Sequence, residues 1–205
     1  MSDAIIGVTL DRSGSMRNMW EEAVAGFNTF KNDQAREDGT ATFIVNYFDD
    51  NHGQLYYGYD AAEIPDLSAD HEIVFPRGMT ALVDSASKTI KDVERWLASN
   101  PDFDGQIYVV VITDGRENAS ETKRSVLREL VSQKEAAGWT FVYLAANVNT
   151  EETARDYGFN IQNSMTYDGD SVAAAYTTMS TAVARSRKGH DGDLFDSSER
   201  DLTKR

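Results

Sequence analysis

Hydrophobic residues in this chain form short continuous runs, separated by longer stretches with helical periodicity. Runs of about six apolar residues, with no regular polar alternation, are typical of strands that are covered on both faces of a parallel sheet. Such strands are predicted at residues 5–10, 42–48, 107–112 and 141–146. A turn at 49–53 precedes residues 54–59, which we expect to return as an antiparallel edge strand.

Between these strands, apolar residues recur every three or four positions, which is typical of helices with one buried face. The longer stripes begin at Trp20, Leu82, Val126 and Val172, and a short helix is predicted to begin near Asn149. Strands that alternate with helices predict an α/β fold. We expect a Rossmann-like, doubly wound, mostly parallel six-stranded sheet with one antiparallel edge strand and helices on both faces.

The predicted elements divide the chain into one domain at residues 1–187 and a tail at residues 188–205. The tail carries charges of both signs. Its large apolar side chains are few, namely Leu194, Phe195 and Leu202. Because so few apolar groups would anchor it, we expect the tail to be poorly ordered.

Composition narrows the class of protein further. The 205 residues are 40% hydrophobic and 26% charged, which are globular values, and the net charge of −14 disfavours binding to a nucleic-acid backbone. No stretch of 18 apolar residues predicts a membrane span, and the first residues lack the basic region of a signal peptide. The absence of cysteine excludes disulfides and thiolate metal sites. The simplest interpretation is a cytoplasmic protein.

Five oxygen-bearing side chains lie where predicted strands and helices meet: Asp11, Ser13, Ser15, Thr80 and Asp114. Asp11 and Asp114 follow the first and central strands, so both reach the same sheet edge if those strands are neighbours. Open α/β sheets bind ligands at such an edge. Ser13 and Ser15 are two residues apart and point the same way in an extended loop. Carboxylates and hydroxyls are hard ligands that suit Mg²⁺ or Mn²⁺.

Taken singly, these residues have ordinary explanations, because Ser, Thr and Asp often cap helices and Thr-Asp-Gly often forms a turn. The complete set, in this order and at these junctions, favours one metal site. Five protein groups with two negative charges would leave one coordination position open. A cation held in this way attracts an external carboxylate.

These residues resemble the metal-ion-dependent adhesion site (MIDAS) of von Willebrand factor A domains, and the resemblance extends over about residues 4–187. It implies a divalent cation, Mg²⁺ or else Mn²⁺ or Ca²⁺, at the top of the sheet. It also implies direct binding by Ser13 and Ser15, direct or water-mediated binding by Thr80 and Asp114, and a water-mediated role for Asp11. An acidic side chain of a protein partner would fill the open position. The chain is similar to compact bacterial or phage stand-alone members.

Several neighbouring residues have two interpretations. Arg116, Glu117 and Asn118 follow Asp114 and would either contact a partner or simply lead into the next helix. Asp84, four residues after Thr80, is expected to support the ligands rather than to bind the cation.

Three functions are compatible with this site. The leading hypothesis is a non-enzymatic, metal-dependent module that binds an unidentified protein, without nucleic acid or membrane. A phosphatase or phosphotransferase of the haloacid dehalogenase type would use Asp11 as nucleophile. However, Ser13 replaces its general acid, and Lys88 or Lys91 would have to bind phosphate from inside a helix. In a structural assembly protein, the cation would only make the loops rigid.

Overall fold

The computed structural model describes residues 3–70, 75–114, 117–146, 149–190 and 192–203. Over these residues, strands and helices alternate. The strands are β1 (Ala4–Asp11), β2 (Ala41–Phe48), β3 (His52–Asp60), β4 (Gln106–Thr113), β5 (Thr140–Ala146) and β6 (Ser164–Tyr167). The helices are α1 (Trp20–Arg36), α2 (Leu82–Ser99), α3 (Arg124–Ala136), α4 (Thr150–Tyr157) and α5 (Val172–Arg187).

Within the described residues, the six strands form one sheet in the order β3-β2-β1-β4-β5-β6. β3 runs antiparallel to β2, and the other neighbouring pairs are parallel. This arrangement confirms the predicted fold class, including the antiparallel edge strand. It also makes β1 and β4 neighbours, with Leu10 opposite Ile112.

Two apolar layers sandwich the sheet. Side chains of β1 alternate between them: Ile6 and Val8 join the layer formed with α1 and α5, and Ile5 joins the layer formed with α2, α3 and α4. Because strand side chains point alternately to opposite faces, the continuous apolar runs supply both layers at once. Among the described helices, none is long and apolar enough to cross a membrane.

We expected the tail to be poorly ordered, but residues 192–203 pack against the domain. Leu194, Phe195 and Leu202 are buried in the layer that contains α1 and α5. The backbone N–H of Thr166 in β6 donates to the Arg200 carbonyl at 2.8 Å, and the Leu202 N–H donates to the Thr166 carbonyl at 2.9 Å. Backbone pairing at the edge of β6 therefore anchors the segment together with its three apolar side chains, and the count of apolar residues does not predict that pairing.

Candidate metal centre

The predicted site lies at the carboxyl end of β1 and β4. Asp11 is the last residue of β1, and Asp114 directly follows β4. Both Asp11 carboxylate oxygens accept hydrogen bonds: Oδ1 from the Ser13 backbone N–H at 2.7 Å, and Oδ2 from the Thr113 hydroxyl. The carboxylate is therefore held between the two strands.

The two serine hydroxyls connect this region to Asp114. Ser13 Oγ lies 3.0 Å from Ser15 Oγ, which donates to Asp114 Oδ1 at 2.7 Å. In an octahedral site with metal–oxygen distances of 2.0–2.1 Å, adjacent ligand oxygens lie about 2.9 Å apart. The spacing of these three oxygens thus fits neighbouring corners of a magnesium-sized octahedron.

Thr80 is positioned through its backbone. Its N–H donates to Asn118 Oδ1 at 2.9 Å, and its carbonyl accepts from the Asn118 N–H at 3.1 Å. Two residues earlier, the Gly78 carbonyl accepts from the Gly14 N–H at 3.2 Å, which joins the loops that carry Thr80 and the serines. Among the described residues, every hydrogen bond recorded for Thr80 uses its backbone. Its hydroxyl is thus available as a ligand.

Helix capping does not explain the hydroxyls. Ser13 precedes a short 3-10 turn, Gly14–Met19, and makes no side-chain capping hydrogen bond. The capping position of α2 is Ala81, again without a side-chain bond, so Thr80 does not cap that helix. The ordinary explanation of these residues as N-caps is therefore wrong for Ser13 and Thr80.

Burial dominates the electrostatics of the two site carboxylates, Asp11 and Asp114. Burial raises the pKa of Asp11 from 3.8 to about 7, and its hydrogen bonds offset this effect only in part. Burial also raises the pKa of Asp114. Within the described part of the chain, no salt bridge reaches either group. A divalent cation would supply the missing charge, since metal binding favours the deprotonated carboxylate.

The nearest basic residue in sequence, Arg12, is directed elsewhere. Its guanidinium lies 3.0 Å from the buried Asp49 carboxylate and 4.2 Å from the centre of the Tyr47 ring. The Arg12 backbone N–H donates to the Phe48 carbonyl at 2.8 Å. Arg12 therefore fixes the serine loop against the β2–β3 turn, a role that the sequence did not reveal because it depends on which loop lies opposite.

Glu117 and Asp84 clamp the loop after β4 to the start of α2. Glu117 Oε2 accepts from the Val83 N–H at 2.9 Å. In return, the Asp84 carboxylate accepts from the N–H groups of Glu121 and Thr122 at 2.8 and 2.9 Å. Glu117 and Asn118 therefore join the loop after β4 to the start of α2 and to the Thr80 backbone.

The structure thus brings Asp11, Ser13, Ser15 and Asp114 into one hydrogen-bonded cluster and attaches the Thr80 loop to it. Gly115 and Arg116 lie outside the described residues. Among the described residues, no group of three or more His, Asp or Glu side chains could hold a metal. Two carboxylates combined with hydroxyls make this a hard-oxygen site with little negative charge, which fits a cation that keeps an open position.

Comparison with known proteins identifies the fold. No family profile and no curated protein matches the sequence. Solved structures do match: von Willebrand factor A domains are among them, and this chain has their fold.

Three similar structures illustrate the match. Proximal thread matrix protein 1 from the mussel byssus, with a zinc-occupied MIDAS motif, is 17% identical, with a TM-score of 0.65 over 89% of this chain and 46% of that chain. The von Willebrand factor type A protein from Catenulispora acidiphila is 14% identical, with a TM-score of 0.63 over 89% and 43%. The manganese-loaded TRAP protein of Plasmodium vivax is 16% identical, with a TM-score of 0.59 over 85% and 71%. This chain spans less than half the length of the first two.

Proposed function

We propose that this chain is a metal-dependent protein-binding module. Its divalent cation, Mg²⁺ or else Mn²⁺ or Ca²⁺, would be held by Asp11, Ser13, Ser15, Thr80 and Asp114. The observation that carries the proposal is the chain of oxygens from Ser13 through Ser15 to Asp114, at 3.0 and 2.7 Å, beside the buried carboxylate of Asp11. Metal-loaded structures of proteins with the same fold support it.

The residues of the chain would perform two tasks. The buried carboxylate of Asp11 orients the serine loop through the Ser13 N–H, and Asn118 holds the Thr80 backbone. The hydroxyl ligands are neutral, so a bound cation retains more positive charge than it would among carboxylates alone. That charge would attract an acidic side chain of the partner to the open position.

The phosphatase alternative finds little support. Lys88, one of the two lysines that would bind phosphate, donates to Asp92 at 2.6 Å. Asp11, the required nucleophile, is 1% exposed and has hydrogen bonds on both oxygens. A nucleophile must reach phosphorus directly, and this carboxylate is not placed to do so. We therefore propose a binding role without catalysis; release of phosphate from an aryl phosphate, lost in Asp11→Asn, would restore the enzyme hypothesis.

Calorimetric titration with Mg²⁺ and Mn²⁺ tests the site. We expect wild type to bind one cation and Asp114→Ala to bind at least about tenfold more weakly, since one charged ligand is lost. Asp102→Ala removes an exposed carboxylate before β4, at the opposite sheet edge, and serves as the matched control. Equal binding by wild type and Asp114→Ala would refute the site.

The role of the cation needs a separate measurement. Pull-down from the native lysate in Mg²⁺ or EDTA should recover a protein partner only with Mg²⁺. A partner that remains bound in EDTA would instead favour the structural assembly hypothesis, in which the cation only makes the loops rigid.

A further inference from the structure

The segment that leads into Thr80 presents large side chains to solvent. Among the described residues, four large hydrophobic side chains are exposed, and two of them, Phe75 at 52% and Met79 at 54%, lie within this one segment. Between them, the side chain of Arg77 is 64% exposed. We refer to residues 75–79 as the rim segment.

The rim segment is fixed against the proposed metal centre. The Arg77 N–H donates to the Arg12 carbonyl at 2.8 Å, and the Gly78 carbonyl accepts from the Gly14 N–H at 3.2 Å. Gly78 has a φ of +69°, and a β-carbon there would lie 2.0 Å from Asp50 Oδ1. The backbone therefore needs glycine at this position. The backbone at Arg77 and Gly78 is thus held against the serine loop, with Phe75 two residues before it and Met79 and Thr80 directly after it.

Arg77 gives this surface an exposed cation. Its Nε lies 3.2 Å from Asp49 Oδ2, the same oxygen that pairs with the buried Arg12. In the described part of the chain, the terminal nitrogens of Arg77 have no recorded partner. The Asp50 carboxylate lies against Gly78, so an acidic group borders the same surface.

Exposed apolar side chains beside a charged centre are typical of interaction surfaces, because their burial adds affinity while the charge fixes register. We propose that the rim segment selects protein segments in which the metal-binding acidic residue is flanked by a large apolar side chain. Phe75 and Met79 would cover that apolar side chain, and Arg77 would receive a second carboxylate of the partner. This inference rests on the proposed function, since the first carboxylate must reach the cation.

Selection from a phage-displayed library of random 12-residue peptides tests the inference. Peptides are captured on the immobilised chain in Mg²⁺ and eluted with EDTA. Wild type should enrich Asp or Glu next to large apolar residues. The double variant Phe75→Ser/Met79→Ser should still require the acid but lose the apolar preference about tenfold, as expected for one partly buried apolar side chain. Arg77→Glu should lose the second acidic residue and keep the apolar preference.

Controls separate the possible failures. Tyr59→Ser and Val126→Ser change the other two exposed apolar side chains and should select like wild type. Retained Mg²⁺ binding by each variant shows that the fold and the site are intact. The role of the rim segment would be overturned if the double variant selected the same peptides as wild type. It would also be overturned if wild type selected acidic peptides without neighbouring apolar residues. Neither result would count against the metal site. If wild type binds Mg²⁺ yet retains no EDTA-sensitive peptide, carboxylate capture is refuted, and this inference with it.

Discussion

Two buried carboxylates, Asp92 and Asp11, lie in the same sheet–helix framework with opposite surroundings. Asp92 is fully buried in α2, and Asp11 is 1% exposed at the end of β1. Burying a charge is costly unless hydrogen bonds and an opposite charge compensate it. The chain compensates the first carboxylate completely and the second only in part.

Asp92 receives both kinds of compensation. Lys88 and Arg95, one turn before and after it on α2, donate to its two oxygens at 2.6 and 2.7 Å. The side-chain amides of Asn46 and Gln54 add hydrogen bonds at 2.9 and 3.1 Å. This cluster is self-contained, because its cations come from the same helix as its anion.

Asp11 receives hydrogen bonds from a backbone N–H and from one hydroxyl. The cation that follows it in the chain, Arg12, pairs with Asp49 instead. The comparison shows that this fold can supply a buried carboxylate with positively charged partners, as it does for Asp92. At the sheet edge, the cation that we propose would neutralise the charge of Asp11.

The largest expected effect comes from breaking the compensated cluster. Asp92→Ala should lower the free energy of unfolding by about 3–5 kcal/mol, because two cations and two amides lose their acceptor. Its Mg²⁺ affinity should stay within about twofold of wild type, since the cluster is separate from the metal centre. Urea unfolding and calorimetry measure the two quantities, with exposed Asp102→Ala as the control. A large loss of Mg²⁺ affinity would show that the two regions are coupled.

Removing the charge of Asp11 should instead raise the free energy of unfolding. The folded pKa of Asp11 is raised, so the folded state binds more protons than the unfolded state between pH 3.8 and about 7. The contribution of Asp11 to the free energy of unfolding then falls as pH rises through this window. In EDTA at pH 8, Asp11→Asn should therefore be more stable than wild type by about 1–3 kcal/mol, with a smaller difference near pH 5.

The same variant should lose the stabilisation that Mg²⁺ gives to wild type, which is about 2.7 kcal/mol at one hundred times the dissociation constant. Urea unfolding at both pH values, with and without Mg²⁺, provides the readout. Asp104→Asn, exposed before β4, is the matched control. If Asp11→Asn is less stable than wild type in EDTA at pH 8, the uncompensated charge is not the dominant effect.

The smallest expected effect concerns the placement of Thr80. Asn118→Ala removes the acceptor of the Thr80 N–H and should cost about 1 kcal/mol of stability, as for one hydrogen bond. Mg²⁺ affinity should fall about tenfold, since Asn118 orients a proposed ligand without binding the cation itself. Asn118→Asp keeps an acceptor oxygen and should restore binding. Asn100→Ala also removes one side-chain hydrogen bond, to the Trp96 carbonyl at the end of α2, and should leave Mg²⁺ affinity unchanged. Full Mg²⁺ affinity in Asn118→Ala would contradict the positioning role.

Sequence patterns predicted the framework because strand and helix periodicities record burial directly. The continuous runs at β1, β4 and β5 gave a parallel sheet, and the position of Asp11 and Asp114 after two of them placed both carboxylates at one edge. The sequence predicts six strands but gives residue ranges for only five of them. Its four residues, Ser164–Tyr167, include two polar ones and form no apolar run.

The support of the site could not be predicted in the same way. The pairing of Arg12 with Asp49 and the placement of Thr80 by Asn118 join loops that are far apart in sequence. No local periodicity marks such contacts, since they depend on which loops the fold brings together. Residue type and junction position indicate which oxygens could bind a cation, whereas their orientation is a property of the folded loops.

The pairing of the tail with β6, at Thr166, has a consequence for self-association. An open strand edge offers unpaired N–H and C=O groups to any other extended chain, and it can start edge-to-edge polymerisation. At Thr166 those groups are already occupied by Arg200 and Leu202. The tail thus blocks the addition of another strand to this edge of the sheet. Its removal would convert a terminated sheet into one that could be extended by another molecule.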